Sequence, residues 1–179
     1  MIYDKKHWNN IAKGVVEKAL PIFPYIKGKK LKSEIMSNLF ETQSAEYFNS
    51  IGIPTESADS DRKPDLFFTE LNKPCEIKVT GINHPFVKKC KWMGGTFSKR
   101  TSDFIFVVWN HNDNTNKISL SIFKCFVDEN EWNSIGDGSN YYATTFKSDQ
   151  IFEREHEILL GDYDGTMINL SEVDYARPV

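Results

Sequence analysis

Apolar and polar positions along this chain fall into a few distinct patterns. Trp8, Ile11, Ala12, Val15, Val16 and Ala19 recur at helical spacing and predict a short amphipathic helix over residues 8–20, broken by Pro21 and Pro24. A second helix is predicted over Lys32–Ile51, with Ile35, Leu39, Phe40, Tyr47, Phe48 and Ile51 near one face and Gly52 closing its C-terminus. Residues 53–63 are polar enough for a loop. Two apolar runs then flank an Asn- and Pro-bearing turn: Pro64-Asp65-Leu66-Phe67-Phe68, the turn Glu70–Pro74, and Cys75-Glu76-Ile77-Lys78-Val79, a β-hairpin. Residues 86–100 are basic and glycine-bearing and read as a loop or broken helix. Asp103–Trp109 is nearly continuous in apolar β-formers, as a strand buried on both faces should be. A hydrophilic turn at Asn110–Asn116 returns the chain through a strand over Lys117–Val127. A short helix at 128–132 and a loop at Gly136–Asn140 follow; the order of the remaining elements is not legible.

The hairpin carries the chemistry. Residues two apart on a strand share a face, so Glu76 and Lys78 project together and Ile77 projects oppositely. Asp65 opens the preceding strand, where a hairpin brings it beside Glu76. Two adjacent carboxylates repel unless a cation lies between them. A hard divalent ion such as Mg²⁺, held by one or two carboxylates with several waters, meets that need, and the lysine beside it can orient or help deprotonate a water. Such a site suits phosphodiester hydrolysis. Asp59 and Asp61 are rivals for Asp65, but neither leads directly into a strand. His84 precedes a proline and is read as structural.

Pro64-Asp65, ten intervening residues and Glu76-Ile77-Lys78 resemble the active-site signature of the PD-(D/E)xK nuclease superfamily, which includes type II restriction endonucleases, Holliday-junction resolvases and phage exonucleases. In that superfamily a helix precedes the hairpin and often carries a glutamate about three turns before a glycine. Glu41, eleven residues before Gly52, fits that position better than its rival Glu46. Helix, glycine, short strand, hairpin and the Glu-x-Lys strand together cover about residues 33–80.

The resemblance implies an α/β fold of restriction-endonuclease type, a central mixed β-sheet flanked by helices. It implies Asp65, Glu76 and the Ile77 carbonyl as Mg²⁺ ligands, Lys78 at the attacking water, and Glu41 in support. The substrate would be double-stranded DNA and the enzyme a type II restriction endonuclease acting as a homodimer. The alternatives are a structure-specific, resolvase-like or repair nuclease, and a catalytically silent binding module of the same fold.

Charge sharpens this picture. The formal net charge is −3, yet residues 1–100 hold seventeen Lys or Arg against eleven Asp or Glu, a net of +6, and residues 101–179 hold five against fourteen, a net of −9. The basic part contains the whole candidate site, as expected of a chain that turns one face to DNA. Lys88, Lys89, Lys91, Lys99 and Arg100 form its densest tract and are the expected DNA contacts, the lysines on phosphates and Arg100 suited to guanine. Lys27–Lys32 reads as a solvated loop or as a second phosphate contact.

Length and cysteine usage add bounds. The 179 residues suit one nuclease domain, with a core at about 33–127 and a C-terminal extension at about 128–179. No stretch approaches the roughly twenty apolar residues of a membrane span, and no secretion signal follows Met1. Cys75, Cys90 and Cys125 lack zinc-site or disulfide-framework spacing. A cytoplasmic protein is expected.

Overall fold

A computed structural model of the chain describes residues 1–58, 63–81, 91–96 and 100–160. Two helices, α1 (Lys5–Ala19) and α2 (Lys29–Ser50), precede the strands β1 (Thr55–Ser57), β2 (Leu66–Phe68), β3 (Lys73–Gly81), β4 (Lys91–Thr96), β5 (Asp103–Asn112), β6 (Lys117–Cys125), β7 (Trp132–Ser134), β8 (Tyr141–Lys147) and β9 (His156–Ile158). Among the described residues these strands form a six-stranded sheet in the order β1-β2-β3-β5-β6-β9 and a three-stranded sheet in the order β4-β8-β7. The large sheet is mixed: β3 and β5 run parallel, and every other pair in it is antiparallel.

Central position explains the composition of β5. Ile105, Val107 and Trp109 enter a core with α1 and α2, whereas Phe104, Phe106 and Val108 enter a second core on the opposite face. Both faces are covered, so the strand cannot alternate polar and apolar residues. Both helices lie on the first face. The second face is covered by the three-stranded sheet through Trp92, Trp132 and Phe146, so among the described residues both α-helices flank the central sheet on the same side.

The helix α1 starts at the Asp4 cap, whose carboxylate accepts from the Lys6 N–H at 2.8 Å. Its buried residues are those its periodicity predicts. Along α2 the buried seam is Met36, Phe40, Ser44, Ala45 and Phe48. Ile35, Leu39 and Tyr47 only border the core, and Ile51 is exposed, so the predicted apolar face is rotated from the observed one. Gly52 adopts a left-handed φ of 80° and lets Ile53 N–H reach the Phe48 carbonyl at 2.9 Å, ending the helix. The chain then enters β1, a short strand inside the segment expected to be loop, and runs antiparallel into β2.

The expectation for residues 86–100 is corrected at Lys91–Thr96, which is strand β4 rather than loop or broken helix. Its partner β8 lies about fifty residues further on, with Lys91 opposite Lys147 and Thr96 opposite Tyr141. Residues 132–158 complete both sheets, through β7 and β8 in the small one and β9 at the edge of the large one. Among the described residues no helix is long and apolar enough to cross a membrane. Cys75 and Cys125 are free and buried; Cys90 lies outside the described residues.

Candidate active site

The hairpin of β2 and β3 pairs Leu66 with Cys75 and Phe68 with Lys73, and Asn72, tolerant of a positive φ, closes its turn at 48°. This register puts Asp65, one residue before β2, across from Glu76. Four hydrogen bonds then lock the pair. The Asp65 N–H donates to Glu76 Oε1 at 3.2 Å, and the Ile77 N–H donates to Asp65 Oδ2 at 2.8 Å. Lys78 Nζ donates to Glu76 Oε2 at 2.6 Å, and also reaches Asp65 Oδ2 at 3.4 Å.

Strand alternation directs the rest. Cys75 and Ile77 enter the helix-side core while Glu76 and Lys78 share the other face. The Glu76 side chain is fully buried, a placement a carboxylate tolerates only when its charge is compensated. Lys78 supplies that compensation. Burial pushes its ammonium down, but the carboxylates of Asp65 and Glu76 outweigh this and hold its pKa above the ordinary value.

Glu41 approaches from α2. It borders one open cleft of about 340 Å³ together with Asp65, Lys78, Thr80, Lys91 and Trp92. Ser37, one turn earlier on the helix, donates to Glu41 Oε1 at 3.1 Å. The Glu41 carboxyl is raised above its usual range by burial and by the charge of Asp65, against the opposing pull of Ser37 and Lys78. Glu46, its rival in the sequence, points elsewhere and pairs with Lys18 of α1 at 2.9 Å.

The cleft therefore brings Glu41 up to Asp65 and Lys78, with Glu76 buried behind them, and these three carboxylates with the Lys78 and Lys91 ammoniums carry a formal charge of −1 when all are ionised. Every donor that Asp65, Glu76 and Glu41 offer is a hard oxygen, the ligand type of Mg²⁺. Among the described residues no three His, Cys, Asp or Glu side chains already stand as a ready ligand group. The Lys78 ammonium reaches both Asp65 and Glu76, where it offsets their charge. The donor chemistry and the uncompensated charge fit a divalent ion.

Of the expected DNA contacts, Lys91 lies at this cleft, exposed on β4. Arg100 does not. Its guanidinium stacks over the Tyr142 ring at 4.5 Å and borders a separate hollow with Lys124 and Phe126. Lys88, Lys89 and Lys99 lie outside the described residues, as do Asp59, Asp61 and His84. The basic segment Lys27–Lys32 is not all loop, since α2 begins at Lys29, and Lys32 in its first turn is buried and not available as a phosphate contact. Its Nζ donates to Asp113 Oδ1 at 2.9 Å and to His111 Nδ1 at 3.0 Å. His111 Nδ1 also lies 3.1 Å from Asp113 Oδ1, and its Nε2 lies 3.0 Å from Asn116 Oδ1.

Thr80, Trp92 and Ser148 are among the residues bordering the cleft that sequence reasoning missed. Thr80 was within reach, because it lies two residues beyond Lys78 on the same strand face. Trp92 and Ser148 arrive through the pairing of β4 with β8, which no local pattern announces.

Comparison by sequence finds no matching protein-family model and no matching curated protein.

Proposed function

We propose that this chain is a metal-dependent endonuclease that hydrolyses DNA phosphodiester bonds at the cleft of Asp65, Glu76 and Lys78, in a fold of restriction-endonuclease type. The observation that carries the reading is the convergence of Asp65 and Glu76 on one lysine of the inner strand β3, with Glu41 bordering the open cleft beside Asp65 and Lys78. A merely structural ion pair needs neither a third carboxylate nor an opening to solvent.

Asp65 and Glu76 would hold the Mg²⁺, joined by the Ile77 carbonyl. A strand residue turns its N–H and C=O to the same side, and the Ile77 N–H already meets Asp65. Bound there, the ion lowers the pKa of a coordinated water and stabilises charge building on a phosphoryl oxygen. Lys78, kept protonated by its two carboxylates, is a donor in this site. It orients the attacking oxygen and neutralises charge at the phosphate. Glu41, whose carboxyl binds a proton more readily than an ordinary glutamate, is placed to accept one from the water.

The resemblance of the Asp65, Glu76 and Lys78 pattern favours a type II restriction endonuclease acting on duplex DNA as a homodimer. Incubation with phage DNA and Mg²⁺ tests this directly. Discrete fragments that disappear in EDTA support the restriction reading, and cleavage confined to branched DNA moves the chain to the resolvase class. No cleavage of either substrate, with intact folding, ends the nuclease reading.

A further inference from the structure

One residue of the cleft has no part in the metal chemistry. Met93 borders the opening together with Asp65 and Lys78, and it is 48% exposed. A lone exposed apolar side chain is ordinary on a protein surface. The mounting of this one is not. Its neighbours Trp92 and Gly94 both face inward: the Trp92 ring centre lies 4.8 Å from that of Phe106, and a Cβ on Gly94 would strike the Trp132 ring. Met93 is therefore held outward between two buried anchors.

The pairing of β4 with β8 also breaks on both sides of it. Lys91 lies opposite Lys147, Met93 opposite Ala143 and Gly95 opposite Tyr142. Between the first two pairs, Trp92 alone spans three residues of β8; between the last two, Gly94 has no counterpart. Such irregularities bend a strand and re-aim a side chain, and they gather next to active sites.

Charge and chemistry narrow what Met93 can meet. The strands β4, β7 and β8 carry no aspartate or glutamate, and their charged residues are Lys91 and Lys147. This holds although residues 101–179 have five Lys or Arg against fourteen Asp or Glu, a net of −9. A polyanion thus meets no carboxylate on these strands. A thioether is at most a weak acceptor and cannot donate, so Met93 neither binds a phosphate nor reads the polar edge of a base. Its unbranched apolar chain is suited to another act, entering between stacked bases and prising them apart.

We infer that Met93 is a wedge that enters a base step of duplex DNA beside the phosphate cleaved at Asp65, Glu76 and Lys78, so that cleavage favours the easily unstacked pyrimidine–purine steps. The inference rests on the nuclease reading for its ligand, and adds to it a positioning residue and a preference for the deformability of the substrate.

Unstacking a step unwinds the duplex, and the linking number of a closed plasmid records this whatever sequence the chain prefers. The plasmid is relaxed by a metal-independent topoisomerase in EDTA with the Asp65→Asn chain bound, so that it stays uncut. Its linking number should fall in proportion to the protein bound. Met93→Ala on that background, compared at equal occupancy, should lose most of the shift. Met93→Leu, which keeps an apolar chain of similar reach, should retain it. Both variants should melt with their parent, since the side chain is half exposed. An equal shift with Met93→Ala would overturn the wedge, as would a loss shared by Met93→Leu, no shift with the parent, or no DNA binding. Mg²⁺-dependent cleavage by the unaltered chain is scored separately. Cut ends should fall at or next to TA, CA or TG steps, and ends at other steps would overturn the preference. Cleavage without a Met93-dependent shift sinks the wedge and leaves the nuclease reading standing.

Discussion

The Ile77 N–H donates to Asp65 Oδ2 at 2.8 Å, and this bond fixes the candidate acid against the middle of β3. The two residues are twelve apart in sequence, joined by the β2–β3 turn. The carboxylate is thus held in place by backbone. Asp65→Asn keeps an acceptor for Ile77 but loses the charge. Cleavage should fall to below about one per cent of the wild-type rate, since a charged metal ligand is removed, and the fold should persist. Ca²⁺ at about a hundred times its dissociation constant should stabilise the wild-type chain by about 2.7 kcal/mol and leave the variant unmoved. A thermal shift of the same size in both would place the ion elsewhere.

Glu41 gives a prediction with a definite sign. Its folded-state pKa is raised above the ordinary 4.5, first by burial and then by Asp65. A raised value means the folded state favours the protonated form, so stability from this group is full below the unfolded value and is lost as pH rises through the folded one. In EDTA at pH 7, Glu41→Gln should therefore melt higher than the wild type, and the difference should shrink towards pH 4. Cleavage at pH 7 should meanwhile slow strongly. Glu46→Gln removes only an exposed pair with Lys18 and should change stability by about 0–1 kcal/mol with no effect on rate. The reverse ranking would show that α2 presents its other face to the ion.

What could be read from sequence tracks how local the determinants are. The β2–β3 hairpin needs only its own residues: a turn that accepts positive φ at Asn72, two apolar runs and period-two alternation of Glu76 and Lys78. β5 announces itself because burial on both faces leaves no room for polar residues. β4 does not, since Lys91, Gly94 and Gly95 give it no strand pattern and its partner is about fifty residues away. Lys32 looks solvated for the same reason: His111 and Asp113, which hold it, lie about eighty residues on. The rotated face of α2 reflects Lys32 and Ser44 taking buried positions that a polarity pattern assigns to solvent.

Lys32 separates a structural role from nucleic-acid contact. Its ammonium is tied to Asp113 at 2.9 Å and lies 5.5 Å above the centre of the Phe23 ring. Lys32→Met keeps the buried stem and removes the donor that Asp113 and His111 share. Urea unfolding should show a loss of about 1–2 kcal/mol, while the salt dependence of DNA binding stays as in the wild type. A smaller salt slope with unchanged stability would restore the phosphate-contacting role to this segment.

Two glycines test whether the small sheet positions the cleft. A Cβ added at Gly94 on β4 would stand 2.5 Å from Trp132 Cζ3 and within 2.9 Å of two more ring atoms. Trp132 is buried, its ring centre 5.1 Å from that of Phe104, so it has little room to retreat. Gly94→Ala should cost about 1–3 kcal/mol by overpacking. It should also slow cleavage, because Trp92 and Lys91 on the same strand border the cleft. At Gly14, inside α1, the added Cβ would meet the end of the Gln43 side chain at 2.7 Å. A glutamine amide can swing away, and alanine is favoured over glycine in a helix interior by about 0.5–1 kcal/mol. Gly14→Ala should therefore be neutral or stabilising and leave the rate untouched. Chemical denaturation and initial cleavage rates on both variants decide the matter. If Gly94→Ala destabilises the chain but cleaves at the wild-type rate, β4 is only a cover for the second core and does not shape the catalytic cleft.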